Sequence, residues 1–480
     1  MKNILFLFTL FFLLIVQVEP GLSNASFEST SDTLTHGVAV GETSQATLKE
    51  LPSAFIVLPF IVLLLMIATG PLFYRHFWEQ HYHKVAIFLG LITVTYYLVV
   101  LKDTQSLIHT LEEYLSFIAL LTSLFVASGG ILIKIDRKST PFANVLLLSF
   151  GALISNLIGT TGASMLLIRP FLRMNKDRIK PYHVVFFIFI VSNMGGGLTP
   201  IGDPPLFLGF LRGVEFFWVA THVWHIWLIG IFIILIVFYF IDSRNVGKGV
   251  STTVYTGKIE LRGSKNFIFL LIVIISVFLD PKILSWVPSL HPLPLGIREI
   301  IMFSVAFFSY KLANKEALKG NEFDFGPIKE VAFLFVGIFA TMIPALQLIA
   351  YETKVYGAML TADIFYWGTG TLSAFLDNAP TYLNFLSAAM GKFGLNIDVY
   401  QDVHHFQEQD PIYLMAISVA AVFFGAMTYI GNGPNFMVKS ISERAGIEVP
   451  SFVGYLVKYA IPILIPIFTV IWLLFFYGRG

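Results

Sequence analysis

Ser192-Asn193-Met194-Gly195-Gly196-Gly197-Leu198-Thr199-Pro200-Ile201-Gly202-Asp203-Pro204-Pro205 interrupts an otherwise apolar segment with three consecutive glycines and three prolines. Glycine weakens a helix interior, and each proline removes a backbone donor and clashes with the preceding turn, so this segment cannot be one unbroken helix. In lipid, open backbone survives only where protein or a water-filled cavity receives it. Asp203 lies in the same opening, and an intramembrane carboxylate marks a functional site by default. A second copy of the device, Thr428-Tyr429-Ile430-Gly431-Asn432-Gly433-Pro434-Asn435, repeats the Thr-x-Ile-Gly-Asp/Asn-x-Pro pattern 229 residues later. Matched interruptions in two halves point to the binding site of a transporter.

The rest of the composition agrees. With 56% hydrophobic residues, 13% charged residues and a mean hydropathy of +0.77 over 480 residues, the chain is a polytopic membrane protein of all-α class. Its net charge of +1 offers no case for a nucleic-acid partner. There are no cysteines, which excludes disulfides and thiolate metal sites. Residues 1–25, with Lys2, an apolar run from Ile4 to Val18 and then Ser23-Asn24-Ala25, read as a cleaved signal peptide. Residues 26–50, rich in Ser, Thr and Glu, read as an exported disordered tail.

Ten apolar windows long enough to span fall near 52–70, 84–101, 114–133, 183–211, 222–241, 266–280, 297–312, 328–350, 411–438 and 452–477. Segments 142–172 and 361–390 are too long for one crossing and carry Ser155-Asn156 and Asp377-Asn378-Ala379-Pro380 in their middles, so they read as re-entrant hairpins. With both termini outside, 22 of the 31 basic residues fall in inside loops, which supports this topology. Residues 51–245 and 266–480 then form two repeats of inverted orientation, joined by a cytoplasmic linker at 246–265, and the hairpin tips meet the broken spans near mid-membrane.

No lysine or arginine is expected inside a span, which leaves Asp203 and Asp377 as the only formal charges at depth. Asp at a helix centre costs about 2.5–3.5 kcal/mol on insertion scales. One bland role is available, because Asp also caps helix N-termini well. Ser155, Asn156, Thr160, Thr161, Ser192, Asn193, Thr199, Asn378, Thr381, Thr428, Asn432 and Asn435 surround the two acids with oxygen donors, and the backbone around Gly202 and Gly431 adds carbonyls. Gly195, Gly196, Gly197, Pro200, Pro204, Pro380, Gly433 and Pro434 are expected to form unwound backbone or hinges. The set suits dehydrated Na⁺, with Asp203, Asn156, Asp377 and Asn378 as its expected ligands and no other cofactor. A carboxylate in a poorly solvated site favours its protonated form and an arriving cation opposes this, so proton and cation exclude each other. The histidines at 76, 81, 83, 404 and 405 sit in loops without metal-binding spacing.

These motifs resemble the ion transporter superfamily, and within it the NhaD-type sodium/proton antiporters and their arsenite-pump and citrate-transporter-like relatives. Ser155-Asn156, Gly195 to Asp203, Asp377-Asn378-Ala379-Pro380 and Gly431-Asn432 with Pro434 carry the likeness, which extends over about residues 51–477. It implies a scaffold and a transport domain moving by alternating access, a homodimer, and a plasma (inner) membrane location in a bacterium. The dicarboxylate branch carries Ser-Asn-Thr at both hairpin tips; Ser155-Asn156-Leu157 and Asp377-Asn378-Ala379 depart from it. An acid in place of that serine argues for a cationic cargo, so Na⁺/H⁺ antiport is expected. The alternative is a sodium- or proton-coupled carrier of citrate, another small di- or tricarboxylate, or an arsenite-type oxyanion. An intramembrane aspartyl protease is disfavoured, because Pro200 stands where its Gly-x-Gly-Asp signature needs glycine and the order of the two acids is reversed.

Overall fold

A computed structural model describes residues 51–245, 257–281, 283–290 and 293–479. The expected signal peptide and exported tail lie outside the described residues, as does 246–256 of the expected linker. After a short turn the chain forms α1 (Leu58–Phe73), α2 (Arg75–Val99), α3 (Thr104–Gly129), strand β1 (Leu132–Ile135), α4 (Pro141–Met174), α5 (Pro181–Ile190), α6 (Pro204–Arg212) and α7 (Trp218–Ser243). Strand β2 (Ile259–Arg262) follows, then α8 (Asn266–Val277), α9 (Ile297–Lys311), α10 (Lys315–Gly320), α11 (Gly326–Tyr356), α12 (Ala362–Phe375), α13 (Asn378–Lys392), α14 (Tyr400–Gln409), α15 (Pro411–Phe424), α16 (Gly433–Arg444), α17 (Phe452–Tyr455) and α18 (Ile461–Phe475). Among the described residues seven helices, α4 included, are long and apolar enough to cross a bilayer, or eight if the pair α14 and α15, bent by 97° at Asp410-Pro411, makes one span. The all-α polytopic class holds. The details differ from expectation: fewer helices than the ten expected spans are long enough to cross, because 183–211, 266–280 and 297–312 form shorter helices; His76, His81 and His83 lie in α2; 259–262 of the linker pairs antiparallel with β1; and the polar loop 391–410 contains helix α14.

Helix α4 is a hairpin. Gly159 takes φ +77° and ψ 154°, a backbone conformation that glycine reaches without a Cβ clash and other residues do not. As a straight rod, the 31 residues between Asn144 and Asn175 would extend about 46 Å. Instead their side-chain amides exchange two hydrogen bonds, at 2.8 and 2.9 Å, so both arms end together. The second hairpin, α12 and α13, closes the same way: Phe365 packs edge-on to Phe385, and Lys392 Nζ donates to Leu360 O at 2.7 Å.

The two hairpins open toward opposite ends of α7, whose 26 residues extend about 39 Å. The α4 arms begin and end beside Asp242, near the α7 C-terminus, where Asn144 Nδ2 donates to the Asp242 carboxylate at 2.9 Å. At the other end of α7, Trp218 Nε1 donates to Gln407 O at 3.1 Å, within the α14 segment that follows the second hairpin. The first face carries Arg169, Arg173, Arg178 and Arg244, and the second carries Asp398, Asp402 and Glu408. These are the basic and acidic faces below.

Helices α2, α3, α8, α9 and α11 pack as one group, with Phe117 stacked on Phe335 at 4.6 Å and Tyr97 OH donating to Gln347 at 2.7 Å. The broken segments pack inside the molecule. Every residue from Val184 to Ile190 on α5 is buried, whereas Phe88, Leu91 and Leu98 on α2 are exposed, as a lipid-facing helix requires. Replacing Gly159 with alanine puts a side chain at positive φ, 3.2 Å from Ile201 O, at a cost of about 1–3 kcal/mol. Gly159→Ala should therefore lower the melting temperature in detergent by several degrees, while Gly433→Ala, whose Cβ would meet nothing within 4 Å, should leave it unchanged.

Candidate functional site

Each hairpin tip stitches one broken span open. In the first opening, between α5 and α6, Asn156 Nδ2 donates to Gly195 O at 2.7 Å and Asn156 Oδ1 accepts from Leu198 N at 2.9 Å. Ser155 Oγ donates to Val191 O, the hydroxyl of Thr199 donates to Asn156 O, and Thr199 Oγ1 accepts from Gly202 N at 3.1 Å. The second opening, between α15 and α16, is built alike 229 residues on: Thr428 Oγ1 donates to Ala374 O at 2.6 Å and accepts from Gly431 N at 3.1 Å. Gly202 and Gly431 are glycines for one reason, because a Cβ there would stand 2.2 Å from Gly196 O or 2.6 Å from Gly425 O. Thus the unwound backbone keeps its hydrogen bonds, as any chain within a bilayer must.

The two openings meet at Asp203, which is 1% exposed. Asp203 occupies the N-cap position of α6, yet its side chain makes no capping bond. It accepts instead from Thr160 Oγ1 at 2.8 Å, Asn378 Nδ2 at 2.7 Å and Asn432 Nδ2 at 2.8 Å. Those donors come from the first hairpin, the second hairpin and the second broken span. All three are neutral, and the broken segments 142–168, 181–211, 361–391 and 411–438 contain no lysine or arginine. Two further oxygens close by are buried without a hydrogen-bond partner among the described residues: Asn378 Oδ1 and Asn193 Oδ1. A Cβ on Gly425 would lie 3.1 Å from Asn193 Oδ1 and 3.4 Å from Asn378 Nδ2, so these amides flank one point. Among the described residues no group of three or more His, Cys, Asp and Glu could hold a metal ion.

A profile of the family described as "Putative citrate transport" matches residues 49–476, most of the chain. The chain belongs to that family. No curated protein is significantly similar in sequence. As a member of the citrate transport family the protein is an integral membrane secondary transporter.

Other expected site residues of this family member bond within their own segments or lie in helix first turns. Asp377 accepts from Ala379 N at 3.0 Å, so it caps α13. Thr381 Oγ1 donates back to Asp377 O at 2.9 Å and does not reach the centre. Pro204, Pro380, Gly433 and Pro434 lie within the first turns of α6, α13 and α16, not in unwound backbone, and Pro204 and Pro434 fit the start of a helix because the first N–H groups have no partner there in any case. Gly195, Gly196, Gly197 and Pro200 do lie in the opening. Asn193 ties the two openings together through Nδ2, which donates to Asn435 Oδ1 at 2.6 Å.

The expectation that charge at depth is limited to Asp203 and Asp377 is corrected. Asp242 is fully buried and accepts from Tyr182 OH at 2.6 Å, from Asn144 and from Arg178, with His183 Nε2 3.1 Å away. Arg212 is paired with Glu113 and Asp398, and Arg298 with Glu299 and Asp280; of these, Arg212, Arg298, Glu113 and Glu299 are buried. Asp242, Arg212, Glu113, Arg298 and Glu299 lie within a turn or two of a predicted span end; the partners of Asp242 and Arg212 come from distant segments, whereas Arg298 pairs with its chain neighbour Glu299 and with Asp280. Asn156→Leu should destabilise the protein, because it strands Leu198 N at about 1–3 kcal/mol and leaves Gly195 O with Trp227 Nε1 as its donor. Thr381→Val removes one bond within a single helix, so its melting temperature in detergent should fall much less.

Proposed function

We propose that the protein exchanges Na⁺ for H⁺, with Asp203 as the group that binds one or the other. The observation that carries this reading is the environment of Asp203: a buried carboxylate, three neutral donors, two unpaired amide oxygens and no basic residue on the surrounding segments. An ionised Asp203 accepts from all three donors. When Asp203 is protonated, one of its oxygens becomes a donor, and Asn378 can answer by turning its amide to present Oδ1. The same half-turn presents that oxygen to a cation beside the carboxylate. Proton and cation thus compete for one position, and the second hairpin registers which is present.

An anionic cargo is poorly served here. Pro204 and Pro205 remove two N–H groups from the first turn of α6, and Leu206 N and Phe207 N are already bonded to Asp203 O at 3.1 and 3.3 Å. The helix end that might hold a carboxylate has few donors left, and Asp203 itself would repel one. The family match nonetheless favours a second reading, sodium- or proton-coupled uptake of citrate or a related small carboxylate. Purified protein in vesicles loaded with a pH dye, challenged in turn with Na⁺, Li⁺, K⁺, citrate and arsenite, separates the two. Antiport predicts a pH change driven by Na⁺ or Li⁺ without citrate, reduced in Asp203→Asn to the level of empty vesicles. Asp377→Asn should keep most of the flux, because Asn caps a helix as well as Asp. A signal that appears only with citrate would replace the antiport reading by the second one.

A further inference from the structure

A cavity of about 690 Å³ opens toward the acidic face between α3, the α6–α7 connection and the start of α9. Among the described residues its lining includes five carboxylates, those of Glu112, Glu113, Glu215, Asp280 and Glu299, against Arg298 and His109; Glu113 is also paired with Arg212, which leaves the carboxylates in excess. A second, water-sized cavity of about 10 Å³ lies deeper and is lined by Thr160 and Gly202, the partner and the chain neighbour of Asp203. Both cavities lie along α3 and α6, with no lining residue in common. On α3 the lining passes from Glu113 and Ser116 at the wide cavity to Phe117, Leu120 and Leu124 at the small one, a series with helical spacing. On α6 it passes from Phe210 to Phe207 and Pro204. Asp203 lies nine residues, about 14 Å, below the Arg212–Glu113 pair. Phe117, Leu120 and Phe207, the small cavity's wall nearest in sequence to the wide one, are each no more than 2% exposed.

We propose that the α3–α6 crevice is the route by which small cations reach Asp203 from the acidic face, with the carboxylate-lined cavity as its mouth and Phe117, Leu120 and Phe207 as an apolar gate. This rests on the reading of Asp203 as a cation site and adds the path and its selectivity. Carboxylates within low-dielectric walls raise the local concentration of cations and deplete anions. An apolar constriction excludes water and ions until its walls part. In this conformation the gate is shut.

The natural absence of cysteine makes the test direct, because every thiol in a variant is the introduced one. Ser116→Cys places a thiol at the mouth, Leu121→Cys places one on the small cavity, and Asn396→Cys marks the acidic face. Impermeant methanethiosulfonates, one cationic and one anionic, are applied to sealed vesicles from the face that labels Asn396→Cys. At Ser116→Cys the cationic reagent should react at least about tenfold faster than the anionic one, relative to their rates on a free thiol, and salt should erase the difference. Leu121→Cys should react slowly, and adding Phe207→Ala or Leu120→Ala should raise its rate severalfold from that face. Equal rates for both reagents at Ser116→Cys would refute the charge-selective mouth, and a Leu121→Cys rate unchanged in both gate variants would refute the route. These readouts need no transport and should persist in Asp203→Asn. If they hold while Na⁺ flux is absent from the parent protein, the reading of Asp203 is wrong and the route stands.

Discussion

The structure turns on keeping one carboxylate out of water. Asp203 is buried in the middle of the molecule, and a buried ionised group without partners would cost far more than the fold could supply. It is held there by donors from three segments that are remote in sequence, Thr160, Asn378 and Asn432. Those segments must therefore come unwound or turn back at the same place. The hairpin tips, the glycines that let backbone strands approach and the threonines that bond to freed carbonyls all serve that one requirement.

None of the three partners of Asp203 carries a charge, and they are not equivalent. Asn432 spends both amide hydrogens, one on Asp203 and one on Ser192 O at 3.2 Å, whereas Asn378 leaves an oxygen unpaired. The first amide is held through both hydrogens and the second through one. The tip of the second hairpin packs against α6 and α11 and so joins the site to the helices around it.

Much of this was legible in the sequence because lipid leaves few options. Gly195-Gly196-Gly197 with Pro200, and Gly431 with Pro434, forbid continuous helix, and a broken segment in a membrane must be buried in protein. The hairpins were legible too, since 142–172 and 361–390 exceed one crossing. The division of labour between the two acids was not. Both stand at an N-cap, and only the path of the neighbouring segments decides that Asp377 bonds its own helix while Asp203 turns away to meet Thr160, Asn378 and Asn432. Asp242 with His183 and Arg178 escaped notice for a related reason: each looks like an ordinary residue at a span end, and their pairing exists only across segments about sixty residues apart. The pairing of β1 with β2 is likewise non-local and carries no turn signal.

The central claim, that a cation and a proton exclude each other at Asp203, is tested most directly by titrating Na⁺ into purified protein in detergent by calorimetry across a range of pH. The account predicts that the apparent Kd rises as pH falls, approaching about tenfold per pH unit once Asp203 is mostly protonated, with about one proton released for each Na⁺ bound. A Kd that does not change with pH, or Na⁺ binding that survives intact in Asp203→Asn, would contradict it.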